Sequence, residues 1–214
     1  MAILRMTLAL VATLTFAQFS NACFCNLRHP QEIYCSSDFV AVLEVLNMEE
    51  IYGNTVPRHM FPMEVNYTVN IGYVFKRTDA FSSADRMHLY TGGSDGTCRV
   101  DLEVDKSYIV MGYVSDGKLY FGLCDWTLRS EELTEHVFRG LHYHYRRGCN
   151  CEIQKCYGDE QCNALNNQNN TCPWRPSNQC DVEYGFCREG PDSSCAWRSN
   201  RMRRSCLNRS NDVY

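Results

Sequence analysis

The chain has 214 residues, a formal net charge of -4 and 14 cysteines. That length allows one large domain or two small ones, and the mild acidity argues against nucleic acid as the main partner.

The N-terminus reads as an export signal. Arg5 supplies the positive end, residues 6–16 (MTLALVATLTF) the apolar core, and Ser20-Asn21-Ala22 a small-x-small cleavage site. Cleavage after Ala22 is expected; a cut after Ala17 fits less well. The apolar run is too short to span a bilayer and no other segment is longer, so no membrane span is expected. The mature chain would be secreted, would start at Cys23 and would keep every cysteine. In an oxidising compartment disulfides are the default and zinc thiolates the minority reading. Three acceptor sequons, at Asn66, Asn169 and Asn208, agree with export.

Residues 39–46 (FVAVLEVL) predict a buried strand, and 47–62 a long polar loop. Residues 65–74 and 86–90 predict two more strands. Runs 107–114 and 118–123 flank Ser115-Asp116-Gly117, a strong hairpin signal because Asp and Gly tolerate positive φ. In 130–140 (SEELTEHVFRG), Ser130 can cap a helix and Gly140 can end it, with Leu133, Val137 and Leu141 along one side. Five or so antiparallel strands and a packed helix suggest a small barrel. Five cysteines (Cys23, Cys25, Cys35, Cys98, Cys124) are spread over this apolar part; the other nine crowd into 149–206, where Asn, Gln, Ser, Pro and Arg dominate. The first part can bury a core, whereas the second depends on crosslinks. The expected boundaries are 1–22, 23–150 and 151–214.

Several motifs have plainer readings. Gly92-Gly93-Ser94-Asp95-Gly96 matches G-x-S-x-G but lacks a following helix, so it reads as a flexible loop rather than a hydrolase elbow. His142 and His144 alternate as on an extended segment and read as a solvated strand end. The spacing of Cys149, Cys151, Cys156 and Cys162 could ligate zinc, but disulfides are favoured. No acid–base pair is evident, and no enzymatic activity is expected. Cys23-Phe24-Cys25 is the most informative triplet. In extended backbone, residues i and i+2 share a face, so bridging both cysteines would leave Phe24 projecting outward. Cleavage before Cys23 would also free an α-amino group with a pKa of about 8. Its neutral form and the carbonyl oxygen of the same residue can chelate a zinc ion that keeps an open position.

Cys23-Phe-Cys-Asn-Leu-Arg-His-Pro-Gln31, with Cys35 following, resembles the opening C-x-C-x-x-x-H-P-Q of the tissue inhibitors of metalloproteinases. The likeness continues through Tyr108 to Gly112, the Asp116-Gly117 hairpin, Cys124, Phe138-Arg-Gly140, Gly148-Cys149 and Cys187 to Arg198. The resemblance implies a mostly β fold with flanking helices: a five-stranded OB-like (netrin-like) barrel plus a small disulfide-rich C-terminal domain. It implies bridges Cys23–Cys98, Cys25–Cys124, Cys35–Cys149, Cys151–Cys195, Cys156–Cys162 and Cys172–Cys187, which leaves Cys180 and Cys206 for each other. It further implies a protease-binding ridge of Cys23, Phe24, Cys25, Asn26 and Leu27 with Gly96, Thr97 and Cys98. Cys23 would chelate the zinc of a secreted or membrane-bound metalloprotease, of the matrix metalloprotease type, and Phe24 would enter the S1′ pocket. No cofactor of the chain's own is implied. Phe24 stands where the family usually has Thr or Ser, and Asn26-Leu27-Arg28 where vertebrate members have Val-Pro-Pro. A rival reading is a netrin-like binding module for matrix, growth factor or receptor. Its support is the tail arginines Arg198, Arg201, Arg203, Arg204 and Arg209, which suit sulfated glycans.

Overall fold

A computed structural model describes residues 23–53, 61–81, 86–198 and 200–211. The expected leader, 1–22, lies outside the described residues. Strand β1 (Phe39–Ile51) pairs antiparallel with β2 (Glu64–Lys76), and β2 with β3 (Arg86–Gly92). Strand β4 (Ser107–Ser115) pairs antiparallel with β1, and the short β5 (Lys118–Tyr120) joins β4 antiparallel to β3 parallel. The ring β1-β2-β3-β5-β4 is therefore closed, and β6 (Thr127–Arg129) adds to β4 outside it. Closure leaves the five strands without a free edge around the ring. Register shifts along β1 at Val40/Ala41, Ala41/Leu43 and Val45/Asn47 supply the bending that a barrel this small needs. The β4–β5 turn has Asp116 at φ 49° and Gly117 at φ 73°, the double left-handed geometry that matches strand twist.

The burial pattern explains the apolar runs. Ala41, Leu43 and Val45 point into the ring with Val65, Tyr67, Val69, Leu89 and Val110. Val40 points the other way, into a second core with Ile33, Tyr34, Ile109, Met111, Leu141 and Tyr145. Strand β1 is thus covered on both faces over its first half, so residues 39–46 read as a continuous apolar stretch. The expected loop at 47–62 starts later than its polarity suggests. Register continues from Asn47↔Thr68 to Ile51↔Glu64, because backbone pairing with β2 carries a ribbon whose side chains are largely exposed.

Helix α1 (Pro30–Ser36) has no periodic signal in the sequence. His29 caps it, with Nδ1 accepting from the Gln31 N–H, and Pro30 fills the first turn, where its missing N–H costs nothing. The helical expectation at 130–140 needs correction. Ser130 heads a separate 3-10 turn, and the cap of α2 (Glu135–Arg139) is Thr134, which accepts from the Val137 N–H. Nor does Gly140 end the helix, which runs on through a π turn (Gly140–His144) and a 3-10 turn (Tyr145–Gly148). A Cβ at Gly140 would lie 2.6 Å from the Tyr145 ring, so glycine is needed there for packing. His142 and His144 consequently sit on a helical turn and not on a strand end.

The C-terminal part is built from a parallel pair, β7 (Glu152–Lys155) with β8 (Thr171–Trp174), and an antiparallel pair, β9 (Cys187–Glu189) with β10 (Cys195–Trp197). Helices α3 (Asp159–Asn166), α4 (Gln179–Tyr184) and α5 (Arg201–Asn211) flank them. Ile153, Cys172, Trp174 and Cys187 form a small core. The fold is a netrin-like barrel with a small disulfide-rich domain. All fourteen cysteines are bridged, in the pairs Cys23–Cys98, Cys25–Cys124, Cys35–Cys149, Cys151–Cys195, Cys156–Cys162, Cys172–Cys187 and Cys180–Cys206. Cys149 to Cys162 are therefore not thiolate ligands. Among the described residues no helix is long and apolar enough to cross a membrane.

Candidate functional site

Residues 23–29 have no regular secondary structure and are tethered to the segments that follow β3 and β5. Cys23 is bridged to Cys98 and Cys25 to Cys124, with Cα separations of 5.2 and 5.0 Å. Phe24, between the two tethers, is 90% exposed, and Leu27 is 57% exposed. A phenylalanine so exposed forfeits roughly 1.5–3 kcal/mol of burial.

The loop that receives Cys23 is ordered by its own hydrogen bonds. Thr97 Oγ1 accepts from the Ser94 N–H (3.0 Å) and donates to the Ser94 carbonyl (2.9 Å). Asp95–Thr97 form a 3-10 turn, after which Cys98 takes a left-handed φ of 61°. Gly96 lies inside that turn. The glycines before it permit close approach: a Cβ on Gly93 would sit 1.9 Å from the Pro62 carbonyl oxygen, and its N–H bonds the Met63 carbonyl at 3.1 Å. Arg99 binds Glu50 (3.0 Å), Asp101 (2.7 Å) and the Gly93 carbonyl (3.2 Å), fastening the loop to β1. Ser94 thus caps a tight turn, with no helix after it to make a nucleophile elbow. The loop is hydrogen-bonded across its length, which a merely flexible reading of its glycines would not give.

The second tether is braced in the same way. The Leu123 N–H bonds the Cys98 carbonyl at 3.0 Å, joining the two receiving loops. Asp125 Oδ2 accepts from the Gly122 N–H at 3.0 Å, and burial pushes its carboxyl above the usual range against the opposing pull of that bond and of Arg28. Arg28 reaches Ser36 at 2.9 Å and the Cys124 carbonyl at 3.4 Å. Lys155 of β7 donates to Asn26. Leu123 is 55% exposed beside the bridged Cys124; only its place next to a tethered cysteine hints at it in the sequence. The expected residues Cys23, Phe24, Cys25, Asn26 and Leu27 thus share one support with Gly96, Thr97 and Cys98.

Among the described residues, the sulfurs of Cys23, Cys98 and Cys124 lie within 4.8 Å of one another. All three are in disulfides, so they offer no thiolate to a metal. His142 is packed against Tyr73, Phe75 and Phe138 at ring separations of 4.7, 5.0 and 4.4 Å. His144 stacks on Phe186 at 4.3 Å. Burial, then Arg198, Arg139, Arg188 and Arg147, bring its pKa down to about 4.

Behind the tethered segment, α1 is latched to the C-terminal part. His29 is fully buried and donates from Nε2 to the Asp181 carbonyl at 2.8 Å; burial lowers its pKa to about 4. Gln31 donates to the Cys187 carbonyl (2.6 Å) and accepts from the Cys187 N–H (3.0 Å). Of the tail arginines, Arg203 is committed to the fold: it pairs with buried Asp181 at 2.6 Å and lies 5.7 Å over the Trp197 ring. Arg198, Arg201, Arg204 and Arg209 are exposed. Asn169 and Asn208 are exposed as well, whereas Asn66 is half-buried in β2 beside His88.

The family model described as tissue inhibitor of metalloproteinase matches residues 21–197. A Drosophila melanogaster protein named tissue inhibitor of metalloproteinase is 29% identical over 214 residues, covering 94% of each chain. Metalloproteinase inhibitor 2 of Canis lupus familiaris is 28% identical, covering 91% of this chain and 89% of its own. Metalloproteinase inhibitor 3 of Scyliorhinus torazame is 31% identical over 158 residues, which is 73% of this chain and 69% of its own.

Proposed function

This chain belongs to the tissue inhibitor of metalloproteinase family, and from that premise we propose that it blocks zinc metalloproteases of the matrix type through Cys23. The carrying observation is the doubly tethered Cys23-Phe24-Cys25 segment with its outward Phe24. Removal of residues 1–22 on export exposes the Cys23 amine. With a pKa of about 8, a useful fraction is neutral at extracellular pH. The amine nitrogen and the Cys23 carbonyl oxygen then close a five-membered chelate on the target's zinc, taking the position that a catalytic zinc keeps open for water. That zinc belongs to the protease, and the inhibitor brings no metal of its own.

The two bridges make the chelate pre-organised, so little conformational freedom is lost on docking. Phe24 enters the S1′ pocket, while Asn26, Leu27, Gly96, Thr97 and Cys98 extend the contact. Residues 23–150 form the inhibitory unit and 151–214 the disulfide-rich unit. The protein acts outside the cell on secreted or membrane-bound metalloproteases, with glycans at the exposed acceptors Asn169 and Asn208.

The test is to block the amine. Acetylated mature protein, or protein carrying one added Ala before Cys23, is titrated against a panel of matrix metalloproteases beside the unmodified form. Inhibition is expected to vanish while the thermal midpoint stays put. Full inhibition by folded, acetylated protein would overturn the chelation mechanism.

A further inference from the structure

The outer wall of the barrel carries a row of side chains that neither the tethered segment nor the core uses. Register sets Asn66 of β2 opposite Tyr90 of β3, Tyr90 beside Tyr120 of β5, and Tyr120 opposite Tyr113 of β4. Four strands thus contribute one residue each to a single line across the sheet. Side chains alternate along a strand, and the neighbours Tyr67, Leu89 and Leu119 are buried in the ring, so the line faces outward. Its rings follow one another closely. Tyr90 and Tyr120 have centroids 5.5 Å apart, and Tyr120 and Tyr113 stack at 5.7 Å with planes 16° apart. Tyr120 Oη donates to Glu64 at 3.0 Å, and Lys118 Nζ lies 4.7 Å from the Tyr90 centroid. Tyr113, at the far end, is 45% exposed. Isolated exposed aromatics are ordinary on a surface, whereas a continuous row of them is informative.

At the head of this row stands an acceptor for N-linked sugar. Asn66-Tyr67-Thr68 is a sequon, and Thr68 shares the outward face of Asn66, opposite His88. His88 Nδ1 lies 3.1 Å from Asn66 Oδ1. A carboxamide oxygen only accepts, so the ring donates, and the bond falls on Oδ1 and not on Nδ2. Nδ2 is the atom that carries the sugar in a glycosylated asparagine, and the linked amide keeps its oxygen acceptor. Asn66 can therefore carry a sugar with its bond from His88 intact. Neighbouring strands lie about 4.8 Å apart, so the row from Asn66 to Tyr113 is roughly 14 Å long. That leaves room for the first sugars of a glycan laid along it.

We propose that Asn66 is N-glycosylated and that the innermost sugars of its glycan pack along Tyr90, Tyr120 and Tyr113. The oligosaccharide comes from a lipid pyrophosphate carrier of the secretory compartment, before β2 and β3 pair. The bond from sugar C1 to the pyrophosphate oxygen breaks, its electrons leaving with the pyrophosphate. A C1–Nδ2 bond forms as Nδ2 gives up one proton. After folding, a pyranose ring offers an apolar C–H face and a hydroxyl edge, while tyrosine offers an apolar ring and a polar tip. The two match without any formal charge. Because Asn66 is the cross-strand partner of Tyr90, the contact is intramolecular and the sugar is held at high effective concentration. The inference rests on export of the chain and is independent of zinc chelation.

The experiment uses full-length protein secreted by insect cells, so that export is settled beforehand. N-glycans are released by an amidase in heavy-oxygen water, which turns each occupied asparagine into labelled aspartate for peptide mass spectrometry. Label is expected at residue 66 in most molecules. NMR of wild-type protein bearing isotope-labelled sugars is expected to show nuclear Overhauser contacts from the innermost sugars to the Tyr90 or Tyr120 ring. Thermal midpoints of wild type, Asn66→Gln, Tyr90→Thr and the double variant close a cycle. Asn66→Gln is expected to lower the midpoint by about 2–4 °C with Tyr90 present, and by less than half as much in Tyr90→Thr. The lost His88 bond is common to both backgrounds and cancels. Unlabelled residue 66, a labelled glycan without contact to the rings, or equal midpoint losses in both backgrounds would each overturn the proposal. A secreted dimer with residue 66 unlabelled would assign the row to a second copy and refute a glycan cover. No readout involves a protease, so failure here and failure of the amine-block test are distinguishable.

Discussion

Acidification offers a sharp test of the latch at His29. The neutral ring satisfies both neighbours, Nε2–H donating to the Asp181 carbonyl and Nδ1 accepting from the Gln31 N–H. A proton on Nδ1 would set one donor against another inside a fully buried site. Burial therefore lowers the folded pKa from 6.5 to about 4. The folded state prefers the unprotonated ring, so its stabilising effect is present above the unfolded pKa and is lost as pH falls from 6.5 towards 4. Linkage over that interval gives a loss of about 2 kcal/mol at pH 5 relative to pH 7.5, and about 3 kcal/mol below pH 4. The assay is urea unfolding of the disulfide-intact protein at pH 7.5 and 5.0, for wild type and His29→Asn. Asn can still cap α1 but does not titrate. The variant is expected to be less stable at pH 7.5, having lost the Asp181 bond, yet to lose about 2 kcal/mol less than wild type on acidification. Subtracting the two removes the contributions of Asp125, His144 and the other shared groups. Equal losses in both proteins would refute a neutral, doubly bonded His29.

Gly93→Ala places a methyl against the Pro62 backbone and is expected to cost about 1–3 kcal/mol in urea unfolding; an unchanged midpoint would mean that residues 61–63 yield freely. Phe24→Thr is expected to cost about one to two decades of affinity on a protease with a deep apolar S1′ pocket, with a smaller loss or a gain on a shallow-pocket enzyme; equal shifts on both would show that Phe24 does not set selectivity. The fragment 23–150 retains the closed ring and bridges spanning 75, 99 and 114 residues, and is expected to fold and inhibit with a lower urea midpoint than the full chain. A folded fragment without inhibition would place part of the inhibitory machinery beyond residue 150.

What could be read in advance depended on whether a residue's role was local. Strand β1 was visible as far as Leu46 because two cores bury both its faces, and it disappeared at Asn47 where only backbone pairing holds it. The outward setting of Phe24 followed from the two-residue period between tethered cysteines. His142 and His144 misled because that same period suggests a strand; the π turn beneath them rests on the contact between Gly140 and the Tyr145 ring. Spacing did not reveal the disulfide pairs, which came through the family likeness. Helix α1 was hidden because its cap is a histidine and its buried face is completed by Asp181 and Cys187, about 150 positions away. The approach of Gly93 to Pro62 is long-range in the same sense.

These distant contacts bear on how the tethered segment can act. Two disulfides alone would fix Cys23 and Cys25 to their loops but leave those loops free to move with them. The Leu123 N–H on the Cys98 carbonyl ties one loop to the other, Arg99 ties the first to β1, and Arg28 ties the second to α1. Helix α1 is in turn held by His29 and Gln31 against α4 and β9, and Lys155 of β7 reaches Asn26 directly. The C-terminal part therefore supports the segment from behind without contributing a bridge to it. Each brace removes freedom before any partner arrives, so less must be given up on docking. A side chain as exposed as Phe24 gains most from such support, because a rigid base lets a pocket of the wrong depth exclude it rather than push it aside.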